Sequence, residues 1–153
     1  MGLPMLTFEM SDQPWTPAQL AEVGPDEHDF QEFKGSAWLY EDGTLSPWFL
    51  GALSKQVSAF ANGAGGRIFV GLDDTGTIDG GVPVDIKPGG TRSWLEDVIH
   101  QLVDPRLHRF NVFEVTGEPD SGIRPGHAVY VLEIPRSEDA PHQARDHRYY
   151  LRI

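Results

Sequence analysis

Four charged side chains carry the first chemistry this sequence offers. Glu27 and Glu32 lie five residues apart, Lys34 follows Glu32 two residues on, and Asp74 is the second of two adjacent aspartates behind the apolar run RIFVGL. The chain has no cysteine, so convergent carboxylates favour a hard, oxygen-seeking cation, Mg2+ or Mn2+. Such an ion polarises a phosphodiester, activates water and steadies the leaving oxygen, while a neighbouring lysine offsets developing negative charge. The competing reading is plainer: these are solvated acids of the kind an acidic protein carries everywhere.

Other chemistry has less behind it. His142 and His147 flank Arg145 in a polar stretch, but their spacing matches no zinc motif, and a solvated loop is the simpler reading. No G-x-S-x-G turn exists for a serine nucleophile. The segment Gly63-Ala64-Gly65-Gly66 is followed by Arg67, without the Lys-Ser/Thr of a phosphate loop. It also leads from a helix into a strand, the reverse of the dinucleotide-binding order, and a helix C-terminus repels phosphate. Helix termination by a left-handed Gly63, with close packing, accounts for these glycines, and ATP binding is the minority alternative. Trp15, Trp38, Trp48 and Trp94 read as core or staple residues, with stacking on a base as the alternative for an exposed one.

The elements that must position these groups follow from periodicity and punctuation. Thr16, Pro17 and Gln19 form a capping box that opens a short helix to about Val23. Residues 30–35 read as a strand with Glu32 and Lys34 on one face. Glu41-Asp42-Gly43 is a turn, Ser46-Pro47 caps the next helix, and Leu50, Leu53, Val57 and Phe60 give that helix an apolar face to about Asn62. Residues 67–73 have the continuous apolar character of a central strand. If it lies parallel to 30–35, the C-terminal ends of both strands share one sheet edge, with Asp74 there and Glu32 nearby. Residues 83–90 read as a loop. Ser93 and Glu96 suggest a second capping box, for a helix running to Asp104-Pro105. Strands follow at 110–116, 127–134 and 148–153. The fold class is α+β, a mixed sheet flanked by two main helices, with 1–15 as an arm and 16–153 as the domain.

Composition sets limits. The 153 residues and 39% hydrophobic content suit one domain with a real core. There is no basic-then-apolar start and no apolar run of membrane-spanning length, so the expectation is a cytoplasmic protein without a membrane partner. The net charge of −11 argues against nucleic-acid binding by bulk electrostatics. The acids, however, concentrate in the first hundred residues, and the C-terminal third carries seven arginines, leaving room for a local basic face.

Four blocks, EHDFQEFKGS, SKQVSAFANGAGGRIFVGLDDTGTIDGG, WLEDVIHQLVDP and PHQARDHRYYLRI, together resemble the Schlafen-type AlbA-like domain, once labelled a divergent AAA domain. The resemblance covers about Glu27 to Arg152 and implies a single Schlafen-core-like lobe. It further implies a role with nucleic acid, and in animal Schlafens a metal-dependent endoribonuclease acting on tRNA and rRNA. Glu27, Glu32 and Asp74 match that family's metal-binding acids and Lys34 its lysine, with Asp73 the alternative if the register slips by one. Arg145, Arg148 and Arg152 are the expected contacts to an RNA or DNA backbone. The chain departs from the animal pattern in having one lobe and no cysteine for a structural zinc. A homodimer is the expected way to rebuild a two-lobed groove. The implied setting is stress or phage defence. The alternatives are a non-catalytic DNA- or RNA-binding or regulatory module and an ATP-binding domain.

Overall fold

The computed structural model describes residues 8–24 and 30–152; Glu27 lies outside the described residues. In chain order the elements are α1 (Pro17–Ala21), β1 (Gln31–Lys34), a 3-10 turn (Ser36–Trp38), β2 (Tyr40–Glu41), β3 (Thr44–Leu45) and α2 (Phe49–Asn62). There follow β4 (Gly65–Val70), β5 (Val82–Pro83), α3 (Thr91–Gln101), β6 (Val103–Asp104), β7 (Asn111–Thr116), β8 (His127–Pro135) and β9 (Gln143–Ala144). The main sheet is mixed. β1 runs parallel to β4, β4 antiparallel to β8, and β8 also pairs antiparallel with β7 and, at its start, with β5.

Alternation along the central strands sorts side chains between two layers. Ile68 and Val70 of β4 and Tyr130, Leu132 and Ile134 of β8 pack with Phe49, Leu53, Val57 and Phe60 of α2 and Leu95 and Ile99 of α3. Phe69, Val129 and Val131 point the other way, where Leu20, Phe33 and Leu72 meet them and Trp15 packs alongside. β8 is buried from Ala128 to the end, as a strand covered on both faces should be. Among the described residues no helix is long and apolar enough to cross a membrane.

The capping box of α1 forms as its sequence suggests, with Gln19 N–H donating to the Thr16 hydroxyl and Thr16 N–H to the Gln19 side chain. Other local expectations are corrected. Ser46 does not cap α2, because its hydroxyl donates to the Ala37 carbonyl at 2.6 Å and the helix begins after Trp48. Ser93 does not cap α3; the helix starts at Thr91, whose hydroxyl bonds Pro83 and Ile86 across the preceding loop, and Glu96 faces Arg92 at 3.4 Å instead. That helix stops at Gln101, and Val103–Asp104 pairs with β9. Gly63 has φ −103°, so the left-handed residue is Gly65, at φ +84°. Of the strand expected at 148–153, the described residues form one bridge, Tyr149 to Gln143, while Tyr150 bonds side chains of α2 through both its backbone N–H and its carbonyl.

Candidate nucleic-acid interface

β1 puts Glu32 and Lys34 on the α2 side of the sheet, since Phe33 between them packs into the opposite layer. Lys34 Nζ stands 3.9 Å from Glu32 Oε2. Glu32 Oε1 accepts a hydrogen bond from Arg152 Nη1, and the Arg152 guanidinium lies 5.1 Å above the Phe60 ring. One carboxylate, 14% exposed, therefore sits between two cations, one from its own strand and one from the far end of the chain.

The parallel pairing expected for β1 and β4 forms, with Glu32 opposite Ile68 and Lys34 opposite Val70. The Lys34 carbonyl then receives N–H from Gly71 at 2.7 Å and Leu72 at 3.2 Å, tying the end of β1 to the chain that leads into the two aspartates. These two aspartates have different work. Asp73 Oδ1 accepts from the Thr75 hydroxyl at 2.6 Å, Thr75 N–H at 2.9 Å and Thr77 N–H at 3.0 Å, and these bonds, the Thr75 hydroxyl foremost, hold its carboxyl below the usual range. Asp73 builds the turn. Asp74 is exposed and, among the described residues, makes no hydrogen bond or ion pair, so of the pair it is the one available to a ligand. Asp79 closes the same region by accepting from Ser36 N–H at 2.7 Å and the Ser36 hydroxyl at 2.6 Å. Among the described residues no three histidines, aspartates or glutamates gather closely enough to hold a metal; Glu27 lies outside those residues.

The C-terminal arginines are carried on a segment gripped by a polar stripe of α2. Ser54, Ser58 and Asn62 recur every four residues, so they share a helix face. Ser54 Oγ donates to the Leu102 carbonyl at 2.7 Å and accepts Arg145 N–H at 2.8 Å. Ser58 Oγ donates to the His142 carbonyl at 2.9 Å, and Asn62 bonds both polar backbone atoms of His142 as well as the Tyr150 carbonyl. Arg145 and Arg148 are exposed on this anchored segment, while Arg152 is turned to Glu32. His142 is buried rather than solvated, its ring nitrogens meeting the Pro105 carbonyl at 2.5 Å and the Ser137 hydroxyl at 2.6 Å. His147 is exposed.

The glycine turn is filled by packing. A Cβ on Gly66 would lie 2.1 Å from the Phe60 ring, and one on Gly65 would meet the Arg136 nitrogen at 2.9 Å.

On the opposite face lies a buried row that sequence reasoning missed. Glu133, fully buried on β8, accepts from Arg67 Nε at 2.8 Å, Asn111 Nδ2 at 3.0 Å, and Ser11 N–H and Oγ at 2.8 and 2.7 Å. Burial pushes this carboxyl up, but the bonds from Ser11, Asn111 and Arg67 outweigh it and hold the group below its ordinary value. The Arg67 guanidinium is stacked by Phe8 at 4.7 Å and Trp15 at 5.2 Å. The available signal was an arginine and a glutamate inside apolar strands, which demand partners when buried.

The family model described as Schlafen, AlbA_2 matches residues 27–153. No curated protein matches. Among solved structures, the DIP2311 protein from Corynebacterium diphtheriae is similar at a TM-score of 0.56 and 18% identity over 89% of this chain. This chain spans 27% of that protein's length, so the likeness speaks for the fold alone. The family points to a nucleic-acid-related domain. With the match running through the sheet, both main helices and the C-terminal segment, the chain belongs to the Schlafen AlbA_2 family.

Proposed function

We propose that this domain binds RNA or DNA through Arg145 and Arg148, with Arg152 at the inner end of the same segment. The observation that carries the reading is the anchoring of this arginine-bearing segment by Ser54, Ser58 and Asn62 within a fold of a nucleic-acid-related family. Arginines on a fixed backbone meet phosphates with less ordering entropy than arginines on a free tail. Fluorescence anisotropy with labelled tRNA and a single-stranded oligonucleotide tests it. Arg145→Ala/Arg148→Ala is expected to weaken binding by about tenfold or more; unchanged affinity overturns the reading.

A second, finer reading is metal-dependent cleavage of structured RNA, favoured by one observation: Glu32 and Lys34 stand together on the strand whose end is tied to the turn bearing the unengaged Asp74. The donors suit Mg2+ or Mn2+ in chemistry, with Glu27, Glu32 and Asp74 as the ligands, although Glu32 would first have to release Arg152. When bound, the ion would supply Lewis acidity toward the phosphodiester. Lys34 would hold the negative charge of the phosphate beside Glu32. Incubating tRNA with Mn2+ and either the native protein or Glu32→Ala tests this, and equal cleavage by both removes these acids from any mechanism. A homodimer would extend the surface, and sedimentation with and without RNA reads that directly.

A further inference from the structure

A cleft of about 410 Å³ lies away from Glu32, Lys34 and Asp74, between α2, α3 and the β6–β9 pair. Its volume falls in the ~300–1,000 Å³ range of small-ligand sites. The floor is apolar, made by Leu50, Val98, Leu102 and Ala144. One wall comes from the C-terminal end of α3, where the helix carries partial negative charge, with the exposed carboxylate of Asp104. The other comes from the turn after β9, with Arg145 and His147. The walls are clamped together. Ser54 bonds both the Leu102 carbonyl and the Arg145 N–H, β6 pairs with β9, and Gln143 Nε2 donates to the His147 carbonyl at 2.6 Å, fixing His147 at φ +65°.

An apolar floor with an acceptor, Asp104, at one side and a cation, Arg145, at the other matches one nucleotide unit. A base face lies on aliphatic side chains, its exocyclic amine reaches a carboxylate, and its phosphate meets arginine. We infer that this cleft binds a nucleoside monophosphate unit whose base carries an exocyclic amino group, adenine, cytosine or guanine, with Asp104 reading the amine and Arg145 the phosphate. Uracil presents a carbonyl where adenine or cytosine presents its amine, so Asp104 disfavours it. The unit could come from an unpaired position of a strand or be a free nucleotide. The inference deepens the nucleic-acid reading above and shares Arg145 with it.

The test is a methyl and amide NMR titration of the whole protein with AMP, UMP, inorganic phosphate, and the RNA tetramers of adenosine and of uridine. Saturable shifts at Leu50, Val98 and Leu102 are expected with AMP, about fivefold tighter than with UMP. Arg145→Ala should abolish saturation, and Asp104→Asn, an exposed position, should erase the preference for AMP. Tighter binding of the adenosine tetramer than of AMP identifies a strand as the source; the reverse identifies a free nucleotide, with the cleft assignment standing, while the nucleic-acid reading falls only if tRNA affinity is unchanged in Arg145→Ala/Arg148→Ala. Shifts equally strong with inorganic phosphate, or no saturable shift of these methyls at millimolar AMP, would each overturn the assignment.

Discussion

Glu133 is the residue on which the sheet's second face depends. A carboxylate without solvent contact survives only because Ser11, Asn111 and Arg67 satisfy it. Glu133→Gln should cost about 2–4 kcal/mol in urea denaturation at neutral pH, mostly through the stranded charge of Arg67. The pH dependence has a definite sign. Because the folded value lies below the ordinary 4.5, the stabilisation is complete above that pH and drains away as the carboxyl protonates on acidification. The gap between native and variant stability should therefore narrow below pH 4.5. A gap constant down to the acid limit would mean that this carboxyl does not shift on folding.

At the scale of elements, the stripe on α2 does what a final strand was expected to do. The apolar positions 50, 53, 57 and 60 were legible because their spacing is helical, and β4 and β8 because they read as apolar runs with β-branched residues. Ser54, Ser58 and Asn62 were not, since nothing local distinguishes polar residues that hold backbone from polar residues that face water. The same holds for Ser46 and Ser93, whose cap-like spacing was overruled by tertiary hydrogen bonds. Of the candidate site, Glu32 beside Lys34 followed from strand period alone, while the Arg152 partner, 120 residues away, could not. Asn62→Ala is expected to lose about 2 kcal/mol. It should also speed amide exchange at His142, whose N–H donates to Asn62 Oδ1 at 2.6 Å. Exchange left unchanged there would show that β9 alone fixes the segment.

For the molecule as a whole, charge decides how any nucleic acid is held. With 23 acids against 12 lysines and arginines, the long-range field repels phosphate, so contact must be local and sparse. Two arginine contacts to a single strand predict a log–log salt slope of about −1.4, far shallower than for a basic nucleic-acid-binding protein. A slope several times steeper would require a cationic surface other than this segment. The N-terminal residues bear on a different question. The family match begins at residue 27, yet Phe8, Ser11 and Trp15 lie against the sheet, and Ser11 supplies two of the bonds to Glu133. Trimming the protein to its family boundary would bare Phe69 and leave a half-solvated acid in the middle of the sheet. The unit that folds is thus larger than the stretch the family model matches, and Phe8, Ser11 and Trp15 supply the cover for that face of the sheet.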